Sequence, residues 1–158
     1  MSKLFLVPTP IGNLEDMTFR AVQTLKDVDF ILAEDTRTSG KLLKHFEVST
    51  PMHSHHMHNE HKSVVGVVKR IQSGETCALI SDAGTPTISD PGMILVNKCI
   101  DENLDVHPIP GSSAVTSAFS VSGFSDQYLF YGFLTKEKNK LESVLKNLSN
   151  LDYSIIFF

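Results

Sequence analysis

Short runs rich in aliphatic, aromatic or β-branched residues recur along the chain, and each opens into a turn followed by a stretch with helical spacing. Leu4 to Val7, Val28 to Ala33, Thr76 to Ile80 and Val106 to Ile109 are too short for helices and read as strands buried within a sheet. Met17, Val22 and Leu25 within Leu14 to Leu25 suit a helix, which Asp16 or Thr18 can cap. Thr36 to Phe46, the series Val64, Val65, Val68 and Ile71, Met93 to Ile100, and the small-residue segment Ser112 to Val121 also read as helices. Strands that alternate with helices predict an α/β fold, a mostly parallel sheet with flanking helices.

Composition narrows the function classes. At 158 residues with 41% hydrophobic and 20% charged side chains, the chain can bury a sizeable core and is neither disordered nor fibrous. No apolar run approaches the ~20 residues that span a bilayer. The N-terminal apolar run, cut by Pro8, is too short for a signal peptide. Cys77 and Cys99 stand apart in apolar contexts with no C-x-x-C, which fits a reducing, cytoplasmic setting better than a disulfide scaffold or zinc site. The net charge of −4 is opposite to that of a general nucleic-acid binder, so an RNA substrate would need a local basic patch or residues outside this chain. Composition shifts after Gly123, dividing the chain into a domain over 1–122 and the beginning of a second over 123–158. Tyr128 to Phe133 is aromatic-rich, with Phe130, Tyr131 and Phe133 expected in a core. Lys136 to Lys146 reads as a helix with a solvated lysine face, and Ser154 to Phe158 as a strand. The apolar end, Ile155 to Phe158, leads us to expect the N-terminal portion of a longer protein.

Open α/β sheets bind ligands beyond the carboxyl ends of their strands. Four loops fall there: Pro8 to Asp16, Ala33 to Arg37, Ser81 to Gly92 and Pro108 to Ala114. None is a G-x-G-x-x-G or a Walker loop. Physics alone leaves two readings of Glu34-Asp35-Thr36-Arg37, a helix cap or a site. Asp82 and Asp90 can equally be turn formers.

The runs Val7-Pro-Thr-Pro-Ile-Gly-Asn-Leu-Glu-Asp16, Ala33-Glu-Asp-Thr-Arg37, His56-x-His-Asn-Glu60, Ser81-Asp-Ala-Gly-Thr-Pro86, Ser89-Asp-Pro-Gly92 and Pro108-Ile-Pro-Gly111 resemble, in order, those of the tetrapyrrole methylase family, in its branch that modifies ribosomal RNA. The resemblance implies two α/β domains that hold S-adenosylmethionine between them, in a homodimer. It implies 2′-O-methylation of a cytidine ribose in 16S-type ribosomal RNA, with the rRNA or assembled small ribosomal subunit as partner and no membrane or metal. Carried over residue by residue, the cofactor contacts are Pro10, Ile11, Ala83, Gly84, Thr85, Ile88, Ser113 and Ala114. His56, Asn59, Glu60 and Asp82 face the substrate. A tetrapyrrole (precorrin-type) methylase and a catalytically inert cofactor-binding fragment are the alternatives.

Methyl transfer from a sulfonium needs alignment more than charge stabilisation. A ribose hydroxyl is a poor nucleophile and gains from a general base. Glu34, Asp35 and Asp82 each follow a strand at the ligand edge, and Arg37 can hold an RNA phosphate through its planar fork. Five histidines, His53, His55, His56, His58 and His61, fall within nine positions. With no cysteine beside them they read as a polar loop over the substrate cleft rather than a metal site.

Overall fold

Five parallel strands form the larger sheet: β1 (Lys3–Leu6), β2 (Phe30–Ala33), β3 (Met52–Ser54), β4 (Cys77–Ile80) and β5 (Asp105–Pro108), in spatial order β3-β2-β4-β1-β5. The structure, a computed structural model, describes residues 3–56 and 60–158, apart from the side chain of Lys62. The central strands β2 and β4 are buried at every position, as expected of strands covered on both faces. Their alternate residues feed two separate cores. Leu4, Phe30, Leu32, Cys77 and Leu79 meet Val64, Val67, Val68 and Ile71 of α3 (Glu60–Gln72) and Leu95 and Cys99 of α4 (Met93–Asp101). Ile31, Ala33, Ala78 and Ile80 meet Ala21 and Leu25 of α1 (Phe19–Asp27) and Leu43 of α2 (Thr36–His45). Each strand residue therefore serves one layer or the other, and all helices of this unit can be placed from that alternation.

Two elements differ from the sequence reading. The helix expected from Leu14 splits into a 3-10 turn, Leu14–Asp16, and α1, because Met17 and Thr18 are extended. Thr18 is the cap that starts α1, its hydroxyl accepting from the Ala21 N–H at 3.1 Å. Strand β3 was not foreseen, since Met52-His53-Ser54 has one apolar residue. It forms because it lies at the sheet edge, where pairing with Ile31 to Ala33 places Met52 against the core and leaves two polar residues exposed.

The chain divides into compact units between Ser113 and Ala114, upstream of the boundary expected after residue 122. The second unit holds α5 (Ala114–Ser120), β6 (Tyr128–Gly132), α6 (Lys138–Leu148) and β7 (Ser154–Phe157), with β6 and β7 parallel. The earlier division has a visible cause: Phe119 of α5 lies 4.4 Å, centroid to centroid, from Tyr128 of β6. Contrary to the expected core placement, Tyr131 and Phe133 are exposed and Phe130 only half-buried. A two-stranded ribbon has too little area to cover both of its faces. On the lysine-rich segment Lys140 pairs with Glu137 at 2.7 Å in an exposed position.

Gly92, just before α4, has φ +120°, and a Cβ there would fall on Leu79 Cδ2 in the core. Gly66 in α3 has open space at the same position and no positive φ. Gly92→Ala is expected to destabilise the protein by about 1–3 kcal/mol, whereas Gly66→Ala is expected to stabilise it by about 0.5–1 kcal/mol. Urea midpoints of the two variants check both signs; a Gly92→Ala midpoint at or above the parent's would contradict the packing described.

Candidate functional site

Three loops at the carboxyl edge of the larger sheet are tied together by hydrogen bonds. Thr9, after β1, and Gly84, after β4, exchange a reciprocal pair of backbone bonds, both 2.9 Å. The buried Thr9 hydroxyl donates to the Ser81 carbonyl at 3.0 Å, and Ser81 Oγ donates to the Gly84 carbonyl at 3.3 Å. Thr85 Oγ1 reaches across to the Ser112 carbonyl after β5 at 3.0 Å. Gly84 adopts φ +84° with Ile11 Cγ2 3.4 Å from where a Cβ would stand. At Gly111 a Cβ would lie 2.8 Å from Pro8 Cβ, so backbone approaches side chain closely where only glycine allows it. Of the expected cofactor residues, Pro10, Ile11, Ala83, Gly84, Thr85 and Ser113 thus sit on these interlocked loops of the first unit. Ile11 and Ile88 present apolar side chains to solvent. Ala114 belongs to the second unit. The turn after Thr85 carries two non-glycine residues in the left-handed region, Thr87 (φ 72°) and Ser89 (φ 64°). A β-branched residue there is strained, and such strain concentrates at ligand-handling turns.

A fourth loop, after β2, brings carboxylates to the same edge. Asp35 caps α2: its Oδ1 accepts from the Arg37 N–H at 2.8 Å, and its carboxylate also takes the Arg37 guanidinium, Nε at 3.1 Å and Nη2 at 2.8 Å. Those side-chain and backbone bonds from Arg37 pull the Asp35 pKa down to about 2. The Asp35 N–H in turn donates to Asp82 Oδ1 at 3.2 Å, joining the β2 and β4 loops. Glu34 is different. Half-buried, it holds its proton more tightly than an ordinary glutamate, first because of burial and then through the negative charges of Asp82, Asp90 and Asp35. Asp90 is shifted upward as well, by burial and Asp82, against a hydrogen bond from Ser81. One edge therefore carries an ion-paired carboxyl with a lowered pKa beside one whose pKa is raised.

Among the described residues the histidines of this segment have separate partners, and His58 lies outside those residues. His53 Nε2 is 3.3 Å from the Arg70 guanidinium. His55 is fully buried, with Nδ1 2.9 Å from Ser63 Oγ and Nε2 3.7 Å from Glu60 Oε1, and burial lowers its pKa. Among the described residues no group of three His, Cys, Asp or Glu has the arrangement of a metal site. Glu60, expected at the substrate, is buried, and its Oε1 accepts the N–H groups of Gly92 and Ile94 at 3.0 and 3.2 Å. It fastens the end of the Ser81–Gly92 turn and the start of α4 to the N-terminus of α3. His56 is half-buried and its carbonyl accepts from the Glu60 N–H; Asn59 lies outside the described residues. Sequence reasoning passed over Thr9, whose burial between two prolines has no signal in composition. It also passed over Asp90 as an acid, because a carboxyl before Pro91 looks like a turn former.

The description of tetrapyrrole (corrin/porphyrin) methylases matches residues 3–157. The chain belongs to the tetrapyrrole methylase family. Within that family it is 48% identical over 159 aligned residues, the full chain, to the ribosomal RNA small subunit methyltransferase I of Synechocystis sp., and 48% identical to that of Bacillus subtilis. The Thermotoga maritima protein of the same name is 45% identical. The chain spans 57% and 54% of the length of the first two, so it corresponds to about half of such a protein. Two solved structures share the tetrapyrrole methylase fold. A diphthine synthase gives a TM-score of 0.76 at 13% identity, covering 99% of this chain and 64% of that one. The uroporphyrin-III C-methyltransferase of Thermus thermophilus gives 0.63 at 14%, covering 83% and 60%.

The Asp35–Arg37 pair makes a pH prediction with a definite sign. A carboxyl whose folded pKa is depressed from 3.8 to about 2 adds stability that is complete above the unfolded pKa and lost as pH falls through the folded one. Asp35→Asn, which keeps a capping oxygen, is expected to be less stable than the parent at pH 7, with the gap closing between pH 4 and pH 2, about the two pKa values. Thermal melts at three pH values check this; a gap independent of pH would mean the ion pair is not formed.

Proposed function

We propose that this chain is the cofactor-binding part of an S-adenosylmethionine-dependent methyltransferase that acts in the cytoplasm, as a homodimer, on a cytidine 2′-oxygen of small-subunit ribosomal RNA. The observation that carries this reading is the 48% identity along the whole chain to proteins named ribosomal RNA small subunit methyltransferase I. The geometry supports it. Gly84, in the left-handed region, would place a side chain against Ile11 Cγ2 at 3.4 Å and the Ser112 carbonyl at 3.9 Å, so glycine keeps the β1, β4 and β5 loops close together there. Ala83, Thr85 and Ser113 line the same loops, which suits a nucleoside cofactor laid on backbone. When bound, S-adenosylmethionine supplies an electrophilic methyl on a sulfonium. The chain's own contribution is then to align acceptor and donor and to take the ribose proton.

Glu34 is the residue we assign to that proton. Its raised pKa places it nearer working pH than the ion-paired Asp35, as a general base requires. Asp35 and Asp82, linked backbone to side chain, hold the β2 and β4 loops in register around it. Arg37, exposed beyond its pair with Asp35, offers a guanidinium to an RNA phosphate. Among the described residues no helix is long and apolar enough to cross a membrane.

The decisive experiment gives the full-length protein unmethylated small ribosomal subunits and labelled S-adenosylmethionine, then digests the RNA. Label in 2′-O-methylcytidine supports the assignment; label on a precorrin-type tetrapyrrole with none on RNA overturns it. Glu34→Gln is expected to lower kcat by about 10²–10⁴ with the affinity for S-adenosylhomocysteine unchanged, and unchanged turnover removes Glu34 as base. Gly84→Val is expected to abolish binding of S-adenosylhomocysteine by calorimetry; parent-like affinity moves the cofactor off this turn.

A further inference from the structure

The Pro8–Asp16 loop and the β4 loop border more than the Gly84 cradle. Between them and the first turns of α2 lies a cavity of about 300 Å³, at the lower end of the range in which small-molecule ligands are held. Pro10, Leu14 and Leu42 supply apolar walls, and Ser39, Lys41 and Asp82 supply its polar points. Ser39 is 2% exposed, yet its hydroxyl has no hydrogen-bond partner among the described residues. A buried hydroxyl left unpaired costs about 1–3 kcal/mol, and native proteins keep few such groups without a reason. Here the orphaned group belongs to a residue of the cavity wall, and a turn of its side chain brings it to a ligand there.

We propose that this cavity receives a single unstacked cytidine nucleotide, the acceptor of the methylation reaction, with the Ser39 hydroxyl and the Asp82 carboxylate reading the base. The proposal rests on the ribosomal RNA methyltransferase reading and adds where the acceptor binds. A base placed between Leu14, Leu42 and Pro10 has apolar contact for its faces. Asp82, oriented by the Asp35 N–H at 3.2 Å, is an acceptor suited to the exocyclic amine of cytosine. Ser39 can donate to one of the acceptors on the same base edge. Lys41 contributes an ammonium for a flanking phosphate. Enzymes that act on one nucleotide within folded nucleic acid take it out of the stack into a pocket of this kind. The chain order places acceptor beside donor: Pro10 and Asp82 of the cavity directly precede Ile11 and Ala83 of the cofactor cradle.

Isotope-labelled full-length protein titrated with cytidine 5′-monophosphate tests the site without requiring turnover. Amide shifts are expected at Gly12, Ser39 and Asp82, with the affinity weakened about three- to tenfold in Ser39→Ala, the loss of one hydrogen bond. The same variant is expected to melt no lower than the parent, because it removes an unsatisfied group, and to bind S-adenosylhomocysteine equally well. In the ribosomal-subunit assay its KM rises by a similar factor. Shifts that map elsewhere, no shifts at millimolar nucleotide, or an equal loss of S-adenosylhomocysteine affinity each overturn the proposal. The two readings fail separately. Nucleotide shifts in the cavity without methylation of ribosomal subunits retain the nucleotide site and defeat the rRNA assignment. Methylation by a protein whose cavity ignores the nucleotide does the reverse.

Discussion

The reciprocal backbone pair between Thr9 and Gly84 is the contact around which the rest of this edge is arranged. Parallel strands end with their carbonyls and loops on one side, and nothing in the ladder itself fixes where those loops go. Here the β1 and β4 ladder ends at Val7, whose N–H donates to Leu79 at 2.9 Å, and the two chains then meet again as a single antiparallel bridge. The Thr9 hydroxyl closes the intervening gap by donating to Ser81. Buried polar groups that find partners make an ordered turn, and unpaired ones would melt it. Once these loops are joined, Thr85 can reach Ser112, and the third loop is fixed too. The Gly84 conformation follows from that closure, because the turn must reverse direction within four residues of the strand end at Ile80.

Four carboxylates near this edge have the same chemistry and different fates, and their surroundings decide which. Asp35 is ion-paired and capping, so it stays ionised. Glu60 is buried and accepts two N–H groups at the N-terminus of α4, where a helix dipole favours a negative charge. Glu34 has no such compensation, and Asp90 has only a hydrogen bond from Ser81, so burial and neighbouring carboxylates push both pKa values upward. The split between paired and raised acids separates carboxylates that hold loops in place from one that the proposed function uses as a base.

How much of this was legible in the sequence depends on how local its cause is. The buried runs Phe30–Ala33 and Cys77–Ile80 announce central strands because both faces must be apolar. Thr18 and Asp35 announce helix starts because capping needs a side-chain oxygen at one position. Met52-His53-Ser54 carries no such signal; its strand exists only because Ile31 to Ala33 offer an open edge. The split after Ser113 was invisible for a similar reason, since the Phe119–Tyr128 contact joins residues whose local patterns are independent. At the site, the loops and their glycines could be placed from motif resemblance. Whether a carboxylate there is raised in pKa depends on residues some fifty positions away, as with Glu34 and Asp82. Ser39 looks like an unremarkable helix residue until the cavity beside it is seen.

The fold and the loops answer separate questions. At 13–14% identity, a diphthine synthase and a uroporphyrin-III methyltransferase retain this sheet and its helices, so the scaffold tolerates nearly complete replacement of its side chains. A scaffold shared so widely says little about substrate, which is set by groups grafted on its edge. In this chain those groups are small and local: a glycine cradle, an uncompensated glutamate and a narrow cavity with one unpaired hydroxyl. The net charge of −4 means that the bulk field of these residues repels a polyanion rather than gathering it. On the reading proposed above, recognition by this part of the protein rests on short-range contacts rather than on long-range attraction. A cavity with a few apolar side chains, Pro10, Leu14 and Leu42, set among polar ones is a form that short-range recognition can take when long-range attraction is absent.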